Sequence, residues 1–567
     1  MHKTHLADKM FSSFSQIIQM KTLAMTRESL GVLSILLTIC LTWQGSQVNG
    51  ANILGIFTSH STSHLIVHMS VAKVLAERGH NVTIVASQEP KVKHDKINMI
   101  IIPPSAEVEE KIGKVMKEKV TQKTSFFTYV VNFFDSVKPM IDMQADMLKD
   151  PRFTVLYENP DTKFDLVIMG YFMNSFVFGM GARFKAPLAI SWMGPPMLIS
   201  DIFVGNPSEV SYVPDMNMSI KVNKKMTFLQ RLQNLFMNMF FRLIKQMLDV
   251  RMRHLYSELY PTDGSFPTLS DMEKNVSLVF CNSHFTEGSV RPNVPAVVEI
   301  GGIQVKNKPE PLPQDIAKFL DSANETGAIL FSLGSNLKGS SIKPETTTYI
   351  FNVLSKLQQK VIWKWEDLNK TPGKSPNILY KKWMPQDDIL AHPNIKLFIT
   401  HAGKGGVAEA QYHGVPMVAL PVFADQHVNA KKLVNAGYGQ DLDLLKLTEE
   451  SFNITIVEVL SNPQYKLNVQ TFSKLYRDRP LTARESVAFW TEYVIRHHGA
   501  AHMQSPLVHM TTIESLNLDI YLIILIIFYI VYRLMKLVVL FVVCKVCKKC
   551  SKTSIRKSKK TKKVKSQ

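Results

Sequence analysis

The feature that most constrains the fold is an alternation of short apolar runs with amphipathic segments. Asn52–Thr58 is a continuous apolar run of the kind that forms a strand buried on both faces. Leu65–Arg78 carries apolar residues at helical spacing and is followed by Gly79, a residue type that commonly ends helices. Val82–Ala86 is the next apolar run. This order predicts a β-α-β unit and therefore a parallel, doubly wound sheet.

The same alternation occurs twice, on either side of a proline-rich segment. Asp165–Met169 and Leu188–Ser191 extend the first set of strands, and Lys306–Pro313, with three prolines, is the best linker candidate. The second set has predicted strands over Ala328–Ser332, Val361–Trp363, Leu397–Thr400 and Val415–Leu420 and a predicted helix over His401–His413. Since 567 residues exceed one compact core, we predict two β/α domains that face a ligand-binding cleft.

Two long segments, Lys117–Met147 and Met226–Arg253, are helical in pattern and unusually rich in Met and Phe. One interpretation is that they are ordinary core helices. The other is that they form an adaptable wall for a lipophilic ligand, because Met fits varied shapes. The sequence leaves both open.

The N-terminus has the pattern of a signal peptide. Lys21 and Arg27 precede the short apolar run Leu30–Trp43, and small and polar residues follow it, with cleavage predicted near Gly50. Which methionine is the true start stays open.

Near the C-terminus, Leu518–Val543 is long enough to cross a bilayer with some tilt. Arg533 and Lys536 interrupt it, so either these cations snorkel or the two halves of the run lie at different depths. The lysine-rich flank places the C-terminus in the cytosol, which leaves residues 51–517 in the lumen. Lys563 and Lys565 resemble a dilysine retrieval signal, so we predict a single-pass protein of the endoplasmic reticulum membrane.

Six N-x-S/T sequons support a lumenal glycoprotein weakly, because several arise by chance in a chain of this length. They begin at Asn81, Asn217, Asn275, Asn324, Asn369 and Asn453.

The net charge of +19 does not indicate nucleic-acid binding. Eleven Lys or Arg and no acid lie between Lys545 and Gln567, so the charge belongs mainly to a tail beside the apolar run. That tail has no aromatic residues to stack bases. Among the five cysteines, Cys281 alone lies in the body, while Cys544, Cys547 and Cys550 are either acylated or free cytosolic thiols.

The segment richest in chemistry is Thr400–Ala410, with the sequence THAGKGGVAEA. A predicted strand ends at Thr400, glycines let the backbone approach a ligand, and a helix begins, so its free N–H groups suit a diphosphate. His401 is able to donate to the same phosphates, and Glu409 to accept from ribose hydroxyls. Asp425 and Gln426, after the next strand, are suited to sugar hydroxyls.

Four further sequence segments make the match to a known family more specific. They are Trp383–Pro393 (WMPQDDILAHP), Phe331–Ser335 (FSLGS), Asp478–Leu481 and Phe489–Gly499. Together they resemble the UDP-glycosyltransferase family, which includes the UDP-glucuronosyltransferases. Phe164–Ile168 and Gly301–Val305 look closer to invertebrate members, which mostly use UDP-glucose.

The resemblance implies a GT-B fold of two Rossmann-like domains, with a UDP-sugar co-substrate, no permanently bound cofactor and no metal. The implied divisions are a signal peptide 1–50, an N-terminal acceptor-binding domain 51–305, a linker 306–313, a C-terminal UDP-sugar-binding domain 314–480, returning helices and a stalk 481–517, a transmembrane helix 518–543 and a basic cytosolic tail 544–567. The residues implied to bind UDP-sugar are Ser335, Trp383, Gln386, His401, Gly403, Gly406, Glu409, Asp425 and Gln426, with Trp383 stacked near the uracil and Gln386 reading its edge.

The resemblance also implies that His64 is the catalytic base, with His60 and His68 as near rivals. A neutral imidazole takes the proton of an acceptor hydroxyl, and the oxygen then attacks the anomeric carbon with inversion. The family usually has a carboxylate that orients this histidine, but the matching residue is Gly170. Asn174 is a turn later and is able to bond the imidazole without offsetting its charge.

The predicted function is therefore transfer of a hexosyl group, glucose favoured over glucuronic acid, to a small lipophilic acceptor in a detoxification-type conjugation. Because of Gly170, the alternatives are a slow enzyme, one that favours acidic acceptors such as phenols, or a catalytically weak or inactive membrane-anchored relative that binds UDP-sugar or lipophiles. The acceptor and the oligomeric state, including a homo-oligomer, stay open.

Overall fold

A computed structural model describes residues 50–121, 133–221, 224–288, 290–306, 308–335, 337, 339–423 and 425–564. The chain divides into two units, Met1–Ala51 and Asn52–Gln567. The predicted signal peptide, apart from Gly50, lies outside the described residues, and the fold below is that of the second unit.

The first sheet has seven parallel strands in the order β3-β2-β1-β4-β5-β6-β7. Its strands are β1 (Asn52–Phe57), β2 (Asn81–Ala86), β3 (Ile97–Ile101), β4 (Leu166–Gly170), β5 (Leu188–Trp192), β6 (Val276–Cys281) and β7 (Val297–Glu299). The helices of this half are α1 (Thr62–Glu77), α2 (Ala106–Thr121), α3 (Phe133–Lys149), α4 (Pro151–Glu158), α5 (Gly179–Phe184), α6 (Leu198–Asp201), α7 (Phe228–Leu259) and α8 (Leu269–Glu273).

The second sheet has six parallel strands in the order β10-β9-β8-β11-β12-β13. Its strands are β8 (Ala328–Ser332), β9 (Lys360–Lys364), β10 (Ile378–Lys381), β11 (Ile395–Thr400), β12 (Met417–Ala419) and β13 (Gly439–Asp441). The helices after β7 are α9 (Gln314–Asp321), α10 (Pro344–Lys356), α11 (Gln386–Leu390), α12 (Lys404–His413), α13 (Gln426–Asn435), α14 (Glu449–Ser461), α15 (Pro463–Arg477), α16 (Ala483–Arg496), α17 (Thr512–Ser515) and α18 (Leu518–Val564).

These two sheets confirm the prediction of two Rossmann-like parallel sheets. The central strands are buried on both faces, and apolar clusters cover each face of the second sheet. The predicted domain boundaries stay predictions. At the predicted linker, the Lys306 ammonium contacts the Asp388 carboxylate at 2.6 Å, and α9 begins just after it.

Helix α12 begins at Lys404, three residues later than predicted. Ala402 has a left-handed φ of 61° and Gly403 is extended, so the chain turns sharply between β11 and the helix. The residues that carry the first N–H groups of α12, which have no partner within the helix, line a cleft.

Helix α16 lies against α1 of the first half. Arg78 donates to the Glu492 carboxylate at 2.8 Å, and Arg484 pairs with Glu77. Helix α16 therefore contacts the first half of the chain again after the second sheet.

Within the described residues, one helix, over Leu518–Ile555, is long and apolar enough to cross a membrane by length and composition, with a mean hydropathy of 2.4 in a window that is not buried. It belongs to α18, which continues to Val564 through the predicted tail.

The two Met- and Phe-rich segments have different surroundings. Residues 122–132 of the first segment lie outside the described residues, and Val137, Met140 and Met143 of α3 line a cleft. The second segment forms α7, which has a row of exposed apolar residues. For that row both interpretations are wrong, because it lies neither in the core nor among the residues that line the cleft.

Candidate active site

A large cleft of about 3560 Å³ is lined by residues that follow the strands of both sheets. All ten predicted site residues line it, namely His64, Ser335, Trp383, Gln386, His401, Gly403, Gly406, Glu409, Asp425 and Gln426. Parallel strands place their carboxyl ends at one edge of each sheet, which is why loops from distant parts of the sequence meet here. The roles of these residues stay predictions.

His401 is held between two glycines. A Cβ on Gly334, whose φ is +79°, would lie 2.6 Å from His401 Nε2, and a Cβ on Gly403 would lie 2.4 Å from the same atom. Burial, together with the charge of Lys364, lowers the pKa of His401 to about 4, so the ring is neutral at neutral pH. Its Nδ1 is buried and has no hydrogen-bond partner among the described residues.

Glu409 and Gln386 form a pair deeper in the same half of the cleft. Gln386 Nε2 donates to Glu409 Oε2 at 2.6 Å. Burial and then the charge of Asp387 raise the pKa of Glu409 to about 8, so the carboxyl is mostly protonated at neutral pH. A Cβ on Gly406 would lie 3.3 Å from Gln386 Nε2, so this glycine leaves room for the pair.

Trp383 presents a flat surface at the cleft edge. Its side chain is 46% exposed, which leaves ring surface for a planar ligand. The ammonium groups of Lys91 and Lys364 lie 5.1 and 5.8 Å from the ring centroid. Lys91 comes from the loop after β2, so it reaches Trp383 from the other half of the chain. Ser335 lies in the turn after β8 and is partly exposed to the cleft.

Asp425 and Gln426 lie where α13 begins. The Asp425 carboxylate accepts from Asn429 Nδ2 at 2.7 Å, and burial raises its pKa. Gln426 Oε1 accepts the backbone N–H groups of Val422 and Phe423 at 2.8 and 3.1 Å. Both lone pairs of that oxygen are therefore engaged, which leaves the amide nitrogen as the group for a ligand.

Sequence reasoning missed an ion pair that crosses the cleft. Lys404, the first residue of α12, pairs with the carboxylate of Glu287 from the loop after β6. Both side chains are mostly buried, at 22% and 8% exposure. A second link, from Gln304 Nε2 to the Gly405 carbonyl at 3.3 Å, lies beside it. The signal in the sequence was a lysine between glycines at a predicted anion site.

His64 lies in the first turn of α1 and lines the opposite side of the cleft. Its Nδ1 is 3.0 Å from Ser59 Oγ, and its ring centroid is 5.7 Å from that of Phe172. Although the side chain is partly exposed, surrounding protein atoms lower the pKa of His64 to about 4. Sequence reasoning missed Ser59, a hydroxyl two residues after β1.

His68, a predicted rival, is fully buried and is not among the residues that line the cleft. Its Nδ1 is 2.8 Å from Ser191 Oγ. A Cβ on Gly170 would lie only 2.8 Å from His68 Nε2. The imidazole of His68 therefore occupies the space that a side chain at position 170 would need. The third candidate, His60, does line the cleft.

Asn174 does not take the role of the absent carboxylate. Its amide nitrogen donates to Thr58, to Gln144 and to the Gly170 carbonyl, and its oxygen accepts the N–H of Phe172 at 3.0 Å. Since these bonds occupy the buried amide, the structure contradicts the idea that Asn174 holds the catalytic imidazole.

The comparisons with known proteins agree with one another. Residues 53–561 match the family described as "UDP-glucoronosyl and UDP-glucosyl transferase". The chain is similar to "UDP-glucosyltransferase 2" of Dactylopius coccus, with 33% identity over 494 residues that cover 84% of this chain and 90% of the relative. It is also similar to "UDP-glucuronosyltransferase 2B15" of Homo sapiens, with 28% identity over 490 residues that cover 81% and 87%.

Among solved structures, the chain is similar to CalG4, the calicheamicin glycosyltransferase, with a TM-score of 0.51 and 15% identity, covering 80% of this chain and 98% of that one. This likeness concerns the fold alone. With the two parallel sheets it shows the GT-B fold that the sequence predicted.

The contact between Gly170 and His68 predicts how the protein responds to a carboxylate at this position. Gly170→Asp should lower the free energy of unfolding by about 1–3 kcal/mol, because the new side chain collides with a buried ring. In the double variant His68→Ala/Gly170→Asp, the loss should be smaller than the sum of the two single losses. Denaturant unfolding of the four proteins measures both quantities.

The control is Gly113→Asp, since a Cβ on Gly113 meets nothing within 4 Å. It should leave stability nearly unchanged. Strict additivity of the two single losses would contradict the contact.

Proposed function

The chain belongs to the UDP-glucoronosyl and UDP-glucosyl transferase family, and from that premise we propose that it transfers a hexosyl group, glucose in preference to glucuronic acid, from a UDP-sugar to a hydroxyl of a small lipophilic acceptor with inversion. The observation that carries this proposal is that His64, from the half with the first sheet, and the start of α12, from the half with the second sheet, line one cleft. A base on one side and an anion site on the other suit an in-line displacement.

His64 is the proposed base. With the ring proton on Nδ1, that N–H donates to Ser59 Oγ and the Nε2 lone pair is free to take the acceptor proton. A hydroxyl orients the ring but does not offset the charge of the imidazolium. Since the pKa of His64 is only about 4, proton transfer from an acidic hydroxyl such as a phenol costs less than transfer from an alcohol.

The start of α12 is the proposed site for the leaving diphosphate. Its first N–H groups have no partner within the helix, so they and the helix dipole favour an anion, and His401 lies beside them. Trp383, Gln386 and Glu409 are proposed to hold the uridine, with Ser335, Gly403 and Gly406 lining its phosphates. The oxygens of Asp425 and the amide of Gln426 are proposed to bond sugar hydroxyls.

A glucosyl donor is favoured by the charges at that end of the cleft. Two acidic residues lie there: Glu287 pairs with Lys404, and Asp425 lies near the same ammonium group. A donor carboxylate would meet both acids and would have to displace Glu287 from Lys404. UDP-glucose carries no such carboxylate.

The acceptor side supports a lipophilic substrate. Ile112, Val137, Met140 and Met143 line this part of the cleft, and Met-rich walls adapt to varied apolar shapes. We therefore propose a detoxification-type conjugation.

We also propose that the body is lumenal in the endoplasmic reticulum, since all six sequon asparagines are exposed and one apolar helix follows the folded body.

The alternative function is that of a membrane-anchored relative that binds UDP-sugar without turnover. The observation that favours it is the packing of His68 into the space beside Gly170, which leaves His64 without an acidic partner at this position.

The first test is acceptor-dependent UDP release by the full chain in membranes, with UDP-glucose and UDP-glucuronic acid against phenols and aliphatic alcohols. His64→Ala should lower kcat by about 10²–10⁴-fold, because the general base is lost. The control is His254→Ala, an exposed histidine on α7. Binding of UDP-sugar without turnover in the unmodified chain would favour the binding protein instead.

The lowered pKa of His64 predicts the pH dependence. A base must be unprotonated to act, and a group with a pKa of about 4 stays unprotonated on acidification until the pH approaches that value. The acidic limb of kcat/KM should therefore lie near pH 4 to 5 rather than near the ordinary histidine value of about 6.5. A limb at the ordinary value would contradict the lowered pKa of His64 as the origin of the acidic limb.

The pair of Lys404 and Glu287 predicts donor choice. Glu287→Gln removes a negative charge and frees the ammonium, so the ratio of kcat/KM for UDP-glucuronic acid over UDP-glucose should rise about tenfold. Adding Lys404→Gln to that variant should cancel the gain. An unchanged ratio in Glu287→Gln would refute a role for this pair in donor choice.

A further inference from the structure

Helix α7 carries an exposed apolar row, which we call the α7 stripe. Its members recur every three or four residues along more than six turns, with two adjacent pairs, and are 48–72% exposed. They are Phe228, Leu229, Leu232, Leu235, Phe236, Met239, Leu243, Met247 and Val250. At 3.6 residues per turn they fall within roughly 120° of arc on one side of the helix.

The opposite side of α7 is the one that packs on the protein. Ile244, Leu248, Met252 and Leu255 are buried there, so the stripe is a second apolar face and not the margin of the core. Nothing in the part of the chain that the structure describes covers it. A solvent-exposed apolar surface of this length is a strong sign of a binding surface.

The stripe lies on the same part of the molecule as the segment that leads to α18. Before α18 begins, the N–H of Ser505 donates to the Val204 carbonyl at 3.1 Å, and a Cβ on Gly205 would meet the Ser505 carbonyl at 2.9 Å. The same loop contacts α7, since the Lys245 ammonium lies 5.7 Å from the centroid of the Phe203 ring.

The tether between that loop and α18 is short. Nine residues lie between Val508 and Leu518, and four of them form α17. Even fully extended, the ten residue-to-residue steps from Val508 to Leu518 reach only about 35 Å, so the surface formed by α7 and the loop at 203–205 stays near the start of the candidate membrane span.

The charge around α7 also fits a membrane surface. From Met216 to Leu248 the sequence contains six Lys or Arg and no Asp or Glu. Lys224, Lys225 and Arg231 are exposed at the beginning of the stripe. Helices that lie in a bilayer interface combine an apolar face with flanking cations in this way.

We propose that the α7 stripe inserts into the interface of the lipid bilayer and gives the folded body a membrane contact of its own, separate from α18. The proposal rests on α18 being a membrane span but not on catalysis. It also places the acceptor side of the cleft close to lipid, because Arg251 of α7 donates to Asp142 of α3 at 2.7 Å and α3 lines the cleft.

The test uses the full chain with a protease recognition sequence inserted between Met510 and Thr511, in the exposed segment before α18. The chain is reconstituted into vesicles of phosphatidylcholine with a minor fraction of phosphatidylserine, cut with the protease from outside, and floated on a density gradient. We expect the cut body to float with the vesicles although its connection to α18 is gone.

The variant is Leu232→Gln/Phe236→Gln/Met239→Gln, and its cut body should be retained at least about tenfold less. A matched control, Ile454→Gln/Val457→Gln/Leu467→Gln, alters three apolar residues that are as exposed but lie on α14 and α15. It should float like the unmodified body. Thermal unfolding of each cut body verifies that all three are folded.

Two results would overturn the proposal. One is release of the unmodified body into solution, which would mean that the α7 stripe does not bind the bilayer. If that released body is a dimer by chemical cross-linking and the stripe variant is a monomer, the stripe is an interface between copies of this chain. The other is equal retention of the unmodified and stripe-variant bodies, which would assign the membrane contact to another surface.

Discussion

Parallel strand pairing is the constraint on which the rest of this structure depends. Parallel neighbours cannot be joined by a tight hairpin, so each pair needs a crossover that covers a face of the sheet. The same pairing gathers the ends of β1, β8 and β11 at one edge of their sheets. His64, Ser335 and His401 each lie a few residues beyond one of those ends. The cleft therefore follows from topology, and its chemistry follows from which residues come after each strand.

This dependence explains which parts of the fold the sequence predicted. The strand over Ala328–Ser332 was predicted with its observed bounds, because it is buried on both faces and reads as an unbroken apolar run. The edge strands Ile378–Lys381 and Gly439–Asp441 were missed, since they are short and only partly buried. For α7 the helix itself was predicted, but periodicity does not say which of two apolar faces packs on the protein.

The candidate site shows the same division. Motif residues such as Gln386 and Glu409 were foreseen by type and spacing, and they meet in the structure. The relation between Gly170 and His68 was not foreseen, because residues 102 positions apart become neighbours only through the pairing of β1 with β4. What looked like a missing carboxylate is a position filled from the neighbouring helix. Restoring the acid alone would therefore create a steric conflict before it created an ion pair.

Burial sets the charge state of this cleft. It lowers the pKa values of His64 and His401 to about 4 and raises that of Glu409 to about 8, so all three are mainly neutral at neutral pH. Lys404 is offset by Glu287. A diphosphate bound at the proposed site would meet the N–H groups at the start of α12, and the ammonium groups of Lys364 and Lys432 also line the cleft. Since Glu287 belongs to the other half of the chain, competition for Lys404 would couple donor binding to the contact between the halves.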